Sequence, residues 1–563
     1  MEYKELAEVY EALENTTKGL EKTKILAAFL DKIRSEPQVI YLLQGRIFAD
    51  FDSRDLGISH QLVIRAISRA CGVEDKEVVK YFKEKGELGK VAEKLIKEKK
   101  TQTALFSKKL KVSMVISNLR KISEIEGQGS VDLKVGLVVD LLHSGTPKEA
   151  KYIIRTVLGD LKVGVGNGIL RDAIVEIVFA PKDLEEKKKY SVKVQEAYDK
   201  STDFAEVFSK ALSKTLESIK LTPGKPVKVM LFPKAKNVED AFRIVGRPAA
   251  FEYKYDGFRV MINKNRFGSI KIFTRRLEEV TKQFPEIIDY VQENVKGETF
   301  ILDSEAVGFD SKTGEYTDFQ AVSQRIRRKH GIEVMMKTLP IEVAVFDIIY
   351  LDGKSLINTS FRERRKILEK IITPRDKKIV LAKQIITGDA KVVEKFYAEA
   401  LADGQEGLMG KNLEAPYKPG ARIGHAVKLK PEDKDFDLVI TGAEWGTGKR
   451  TGWLTSFDVS CRGDSGELLD VGKVSTGLKE LEGADLSYNE ITKRLKKLEI
   501  SEEGRKIKVR PKIVITVQYQ DIQKSVNYSS GYALRFPRII RLREDRSVED
   551  IATVSEIRDE IGI

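Results

Sequence analysis

From Met1 to about Ser218, apolar residues recur at spacings of three and four. Leu6, Val9, Tyr10 and Leu13 make one such stripe, and Ile25, Leu26, Phe29, Leu30 and Ile33 make another. That period matches one face of an α-helix, so residues 1–220 are expected to form an all-α domain. The pattern stops at LTPGKPVKVMLFPKAK, residues 221–236, where three prolines fall within sixteen residues. Proline removes a backbone donor and clashes with the preceding helical turn, which marks this stretch as a linker. Beyond it, short β-rich runs alternate with turns and a few helical patterns: IKIFTRR, ETFILDSEAVGF, IEVAVFDIIYLDG, KIVLAK, EGLMGK and HAVKLK. These predict an α+β domain over 221–432. From Phe436 onward, DLVITGAEW, SFDVSCRG, LLDVGKVSTG and KIVITVQYQDI are evenly spaced strand candidates, about as many as a small five-stranded β-barrel needs, giving a third domain over 433–563. SVEDIATVSEIRDEIGI is expected to close the chain as a short helix, with Ser547 and Asp550 in capping-box spacing.

Composition narrows the partners. A chain of 563 residues is too long for one hydrophobic core. Its 99 Lys and Arg against 86 Asp and Glu leave a net charge of +13, suited to a polyanion such as nucleic acid. No apolar run approaches the ~20 residues a bilayer requires, and MEYKELAEVYEALE reads as an acidic amphipathic helix, not a signal peptide. A cytoplasmic protein without membrane contact is therefore expected. Only Cys71 and Cys461 occur, with His60, His143, His330 and His425. Neither a four-cysteine zinc module nor a His-rich metal site can be assembled from these. A charged content of 33% with so few cysteines is in the style of thermophile proteins.

The candidate chemistry begins at EYKYDGFRVMI, residues 252–262. There Lys254, Asp256 and Arg259 interrupt a run whose Tyr253, Tyr255, Phe258, Val260 and Ile262 call for a half-buried strand. Further polar residues stand in later strands: Glu305 in DSEAV, Glu406 in DGQEGLMGK, and Lys428 and Lys430 in VKLK, with Phe346 in AVFDIIYLDG. Each alone reads as a solvated edge or ordinary core. In this order, EYKYDGFR, FTRRLEEVT, LDSEAV, VFDIIYLDG, EGLMGK, VKLK and SSGYALRFPRIIRLRED resemble the signature of the covalent nucleotidyltransferases, most closely the ATP-dependent DNA ligases of archaeal type. The likeness spans nearly the whole chain.

The resemblance implies a helical DNA-binding domain, a nucleotidyltransferase (adenylation) domain and a C-terminal OB-fold barrel. It implies sealing of nicks in double-stranded DNA, in replication, repair and recombination, through a lysyl-AMP intermediate and then a DNA-adenylate. Lys254 would attack the α-phosphate of ATP, which needs the amine's lone pair free; Arg259, Arg275, Lys428 and Mg²⁺ would supply a field favouring that form. Asp256, placed two residues on and so on the same strand face, would orient the amine or touch the ribose, with Gly257 making the turn. By the same resemblance Glu252 lies against the adenine, Phe346 stacks on it, and Glu305 contacts ribose or metal. Glu406 is a second ligand for Mg²⁺, or for Mn²⁺ in its place. Arg422 is a further ATP contact, and Lys428 and Lys430 hold the α-phosphate. Arg535, with Asp545 holding its geometry, would assist the departing pyrophosphate. The implied partners are nicked duplex DNA and a sliding clamp, for an enzyme acting as a monomer, cytoplasmic and nucleoid-associated. Two local departures, Gly410 for a usual Val or Ile and His425-Ala426 for bulkier residues, are expected to loosen packing near the nucleotide.

Two glycine-rich stretches are set aside. GAEWGTGKR, 442–450, has one residue too many between its glycines for a phosphate loop and Arg450 in place of Ser or Thr, so Lys449 and Arg450 are read as DNA-phosphate contacts on a barrel loop. KVGVGNG, 162–168, flanked by Arg155, Lys162 and Arg171, is read as a turn that brings backbone amides to the duplex. The same lysine chemistry also serves RNA ligases and capping guanylyltransferases, and a non-catalytic DNA-binding protein could keep the fold. The long helical region favours duplex DNA, since it gives the chain enough length to encircle it.

Overall fold

Helical periodicity becomes helix wherever it was strong. The computed structural model describes the chain except residues 53, 99–108, 318, 327, 329, 421–423, 432, 433, 447–449, 481–485, 562 and 563, with backbone alone at 320 and 321. Helices include Tyr3–Glu14, Gly19–Lys32, His60–Cys71, Leu88–Glu98, Pro147–Val157, Asn167–Phe179, Leu184–Ser201 and Phe204–Leu212. Leu6, Tyr10 and Leu13 are buried, as are Leu26, Phe29, Leu30 and Ile33; Val9 and Ile25 sit at the edges of their stripes and are half-buried. All join one hydrophobic core that runs from Tyr3 to Ile219. Burial of each such Leu or Phe contributes roughly 1.5–3 kcal/mol. Among the described residues, no helix is long and apolar enough to cross a membrane.

The helical core also holds charge. Arg155, with a side chain 2% exposed, reaches Glu14 at 2.9 Å and Glu87 at 2.5 Å, while Lys151 reaches Glu14 at 2.8 Å. Burial alone would raise the Glu14 carboxyl, but hydrogen bonds from Arg155 and Lys151 bring it down to about 2. Arg155 was expected beside the duplex. It is instead an internal clamp, its buried guanidinium held by two part-buried carboxylates.

The proline-rich segment is not a free spacer. Leu221, Val227, Val229, Met230 and Phe232 are buried in a core shared with Met261, Phe273, Ile301, Ile349 and Tyr417. On its other side Thr202 Oγ1 donates to the Pro226 carbonyl at 3.2 Å, and the Lys228 N–H donates to the Asp199 carbonyl at 3.0 Å.

Two sheets follow. The first is four-stranded, in the order β10-β9-β1-β8: β1 Ala249–Lys254, β8 Gln384–Thr387, β9 Gly407–Lys411 and β10 Ala426–Leu429. The second is six-stranded: β3 Ile270–Thr274, β2 Phe258–Lys264, β4 Phe300–Gly308, β5 Ile341–Leu351 and β6 Lys354–Ser355 in path order, with β7 Ile379–Leu381 parallel to β5. Everything to Lys430 belongs to one compact unit, and Pro431–Ile563 is a second.

The second unit is strand-rich. β11 Lys434–Trp445, β12 Leu454–Arg462, β13 Leu468–Val474, β14 Glu499–Glu503, β15 Lys506–Val509, β16 Val514–Tyr519 and β19 Arg538–Leu542 pair into a seven-stranded sheet. β17 Asp521–Lys524 and β18 Tyr532–Arg535 form a separate antiparallel pair. These pairings by themselves do not close a ring. The closing helix is shorter than its pattern suggested. Ser547 and Asp550 do form a capping box, but around a single 3₁₀ turn, Val548–Asp550. The chain then lies against the sheet, the Ala552 N–H donating to Asp437 and its carbonyl accepting from Arg462, before Thr553 caps the helix Val554–Glu560.

Candidate active site

Residues directly opposite in an antiparallel pair point to the same face of a sheet. On β1, Glu252 faces both Met409 of β9 and Gln384 of β8, and Lys254 faces Gly407; on β10, Lys428 faces Met409 and Ala426 faces Lys411. Lys254, Glu252, Gln384, Met409, Lys411, Lys428 and Ala426 therefore share one face. Phe251, Tyr253, Leu408, Val427 and Leu429 fill a hydrophobic core on the other. Glu252 and Lys254 of EYKYDGFRVMI are thus the polar half of a regular alternation along β1. Gly410 lies on the apolar face, where an added Cβ would come within 3.1 Å of both Phe251 and Val427. The expected loosening near the nucleotide does not apply to it; Ala426 alone of the two departures is on the site face.

Lys254 ends β1 with its side chain 17% exposed and ion-paired to Glu406, whose backbone N–H donates to the Lys254 carbonyl at 2.9 Å. The strand stops there, so Asp256 is in the turn to β2 and not on the Lys254 strand face as expected. Its carboxylate accepts from the Phe319 N–H at 3.3 Å, and its own N–H donates to Gln405 Oε1 at 3.1 Å. Gly257 serves the turn by close approach, not by an unusual φ: a Cβ there would collide with the Ala306 carbonyl on β4.

From the second sheet come Arg259 and Glu305, opposite one another on β2 and β4. Arg259 is held by Asp303 at 2.5 and 2.8 Å and donates to the Met230 carbonyl at 2.9 Å; Tyr417 adds its hydroxyl to Asp303 at 2.7 Å. Phe346 is half-buried, with Arg259 5.3 Å and Lys411 4.8 Å from its ring centre. Burial pushes the Glu305 carboxyl up to about 8, against the pull of Lys254 and Arg259, with Glu406 and Asp303 adding to the rise. Burial likewise lowers Lys428, reinforced by the cations of Lys254, Arg275 and Arg259 and opposed by Glu406. Two carboxylates and a set of cations thus share one enclosed field, in which each charge sets the protonation of its neighbours. Arg275 itself is exposed at the end of β3, Lys430 follows β10, and Arg422 lies outside the described residues.

Sequence patterns did not single out Lys411, Gln384, Arg365 or Asp303. Lys411 is 2.5 Å from Glu252, Gln384 donates to Glu252 at 2.8 Å, and Arg365 stands 3.6 Å away. Period-two alternation in EGLMGK and LDSEAV does place Lys411 and Asp303 on the faces of Met409 and Glu305. Gln384 becomes visible only once β8 is paired with β1.

A cation site fits the residues. Among the described residues no three His, Cys, Asp or Glu side chains cluster as metal ligands. Among the described residues, Glu406 and Glu305 offer carboxylate oxygens near Lys254, a pair that suits Mg²⁺, an ion that keeps several waters and takes its remaining ligands from substrate phosphates.

In the second unit, Arg535 on β18 is 8% exposed and faces Asp521, 3.9 Å away. Asp545 does not hold it. Asp545 binds Arg543 at 2.7 and 2.8 Å, which keeps its carboxyl down at about 2, and Arg543 also donates to Asp437 at 2.7 Å. The guanidinium fork of Arg543 takes both carboxylates within its reach, which engages Asp545 away from Arg535. Lys449 lies outside the described residues, while Arg450 pairs with Glu480 at 2.7 Å and stacks 4.7 Å from Tyr488.

Comparison with known proteins covers the chain in three pieces. Residues 2–175 match the model of the DNA ligase N terminus, 229–430 the ATP dependent DNA ligase domain, and 450–546 the ATP dependent DNA ligase C terminal region. A curated DNA ligase of Nanoarchaeum equitans is 45% identical over 99% of this chain and 98% of its own. DNA ligases of Thermococcus fumicolans and Archaeoglobus fulgidus are 42% and 39% identical, over 100% and 99% of this chain and 99% and 98% of theirs. A solved structure described as Pmar-Lig_PreS3 superposes with a TM-score of 0.55 at 17% identity, covering 95% of this chain and 99% of that one. Its likeness concerns the fold: helical region, sheet-rich middle, strand-rich end.

Proposed function

The chain belongs to the ATP-dependent DNA ligase family, and from that premise we propose how its own residues carry the reaction. It is an enzyme that seals nicks in double-stranded DNA at the expense of ATP. Lys254 is the nucleophile. Its amine bonds to the α-phosphorus as the bond to the β-phosphate oxygen breaks and pyrophosphate leaves, and the amine's proton departs to solvent or a neighbouring base. AMP passes from Lys254 to the 5′-phosphate of the nick; the 3′-hydroxyl then attacks that phosphate, and AMP is released.

The observation that carries this reading is the shared face: Lys254, Glu252 and Lys428 project together, opposite Arg259 and Glu305. Glu406 must give up its ion pair before the Lys254 lone pair is free to attack. Lys428 and Lys430 hold the α-phosphate as negative charge shifts onto its oxygens. Phe346 stacks on the base and Glu252 accepts from its amino group. Asp256 ties the turn after Lys254 to Phe319 and so fixes where the strand ends. Glu406 and Glu305 would hold Mg²⁺, which supplies charge neutralisation at the phosphates. Arg275, Arg422 and Arg535 serve the triphosphate, Arg535 acting only while pyrophosphate departs, with Asp545 acting through Arg543. The chain works in three domains, 1–220 on DNA, 221–432 on the nucleotide and 433–563 as a barrel, as a monomer recruited by a sliding clamp.

The test is direct. Incubation with ATP and Mg²⁺ adds one AMP to the chain by mass spectrometry, and peptide mapping locates it on Lys254. An adduct on another residue, or sealing of nicks without an adduct, refutes the assignment.

A further inference from the structure

Glu252 is 1% exposed, and donors surround its carboxylate. Gln384 Nε2 donates to Oε1 at 2.8 Å, Arg365 stands 3.6 Å from the same oxygen, and Lys411 Nζ is 2.5 Å from Oε2. None of the three is loose. Gln384 sits directly opposite Glu252 in the β1–β8 pair. Arg365 is anchored by the Ala382 carbonyl at 3.0 Å and Glu369 at 3.1 Å. The Lys411 ammonium lies over two rings, 4.8 Å from Phe346 and 4.5 Å from Phe361.

Adenine and guanine differ at C6, where one carries an amino donor and the other a carbonyl acceptor. A carboxylate only accepts and an ammonium only donates. Glu252 presented to the base thus selects adenine, while Lys411 presented in its place selects guanine. The two groups are partners in one ion pair, so which of them faces the base is a question of side-chain rotation. We propose that Gln384 is the positioning residue that settles it: its amide pins Oε1 of Glu252 toward the base and leaves Lys411 turned back against Phe346 and Phe361. A carboxylate has about four acceptor positions. Gln384 fills one, Arg365 and Lys411 balance the charge as ion-pair partners, and the position that faces the base is left for an amino N–H. Guanine would set its carbonyl against an anion and leave that position unpaired, the kind of mismatch a built hydrogen-bonding site rejects strongly. The proposal rests on the reading that Glu252 lies against the base.

Self-nucleotidylylation of the full chain with ATP or GTP, followed by mass spectrometry, tests both levels. Gln384→Met keeps length and removes the donor. It is expected to lower the ATP-over-GTP ratio of kcat/KM by about tenfold or more, the scale of one buried hydrogen bond. The change should fall on KM for ATP and leave the maximal rate of adduct formation near that of the unsubstituted chain. Adding Lys411→Met to Gln384→Met should remove whatever GTP use was gained. If Gln384→Met does not fold, Gln384→Glu, which repels Glu252 instead of pinning it, is judged by the same ratio. An unchanged ratio, or an equal fall in maximal rate with both nucleotides, overturns the proposal. Glu252→Gln checks the premise separately: a ratio unchanged in that variant means Glu252 does not read the base. A ratio that falls there but not in Gln384→Met removes only the role of Gln384.

Discussion

Lys254 carries the prediction with the fewest assumptions. Lys254→Ala should abolish both the AMP adduct and sealing with ATP, because no other amine occupies the end of β1. Lys254→Arg should fail equally, since a guanidinium stays protonated at any usable pH. A labelled adduct persisting in either variant, read on a denaturing gel, would remove the residue from its role. The residues legible in advance were those with a chemical oddity, a charge inside an apolar run. Lys254, Glu305 and Glu406 qualify, and the structure gathers them. Those missed are ordinary in sequence and special only by register. Gln384 in KQIIT is one polar residue of a plain strand until β8 is laid beside β1. Gly410 erred the other way. Expected to loosen packing near the nucleotide, it lies one residue out of phase, on the apolar face. Asp256 and Asp545 show a third limit, because a spacing of two implies a common face only if the strand continues, and a partner in sequence need not be the partner in space.

At the scale of elements, helix Pro147–Val157 is fastened to Tyr3–Glu14 and to Glu87 by Arg155. Removing Arg155, itself buried, leaves two part-buried carboxylates uncompensated, which costs stability. Arg155→Ala should therefore lower the denaturant midpoint of the helical region, and leave the salt dependence of DNA binding as it was. A normal midpoint with weakened DNA affinity would restore its place at the duplex. Helix Leu184–Ser201 supplies a pH test. Burial pushes its Asp199 carboxyl up to about 6 from 3.8, with Gln195 and Lys228 pulling the other way. The folded chain thus keeps this proton to higher pH than the unfolded chain does. Stability is lost as pH rises from about 4 to 6, by roughly 3 kcal/mol for a shift of two units. Asp199→Asn, which keeps the oxygen that accepts from Gln195, should melt higher than the unsubstituted chain at pH 7.5, with the difference vanishing toward pH 4.5. A difference that does not vary with pH would assign the effect to packing. Helical stripes and alternating strands announced these elements plainly. The chain between them did not: LTPGKPVKVMLFPKAK looked like a spacer because prolines forbid helix, yet its apolar residues are core. The last helix lost its first turn to a sheet contact that no local pattern encodes.

For the whole molecule, a basic protein gripping phosphates without reading bases should bind nicked duplex with an affinity that falls steeply, and linearly on a log–log plot, with salt. Binding that is flat from low to high salt would contradict this. The strand-rich unit is tested through Arg535. Arg535→Ala should slow self-adenylylation by ~10²-fold, the scale for one preorganised donor at a developing charge, and leave sealing of an already adenylated nick near normal. Equal losses in the two assays would make Arg535 a folding residue of the β17–β18 pair. Within the first unit, one of the contacts between the helical region and the nucleotide region runs through a glycine. Gly420, at φ +70°, donates its N–H to the Lys228 carbonyl at 3.2 Å and leaves no room for a Cβ, which would fall on the Asp199 carboxylate. In genetic terms the two positions form a lock with a reciprocal key. An allele carrying Gly420→Ala should be crippled at high temperature, and its second-site revertants should arise at codon 199 as a smaller residue, although that codon specifies no part of the active site.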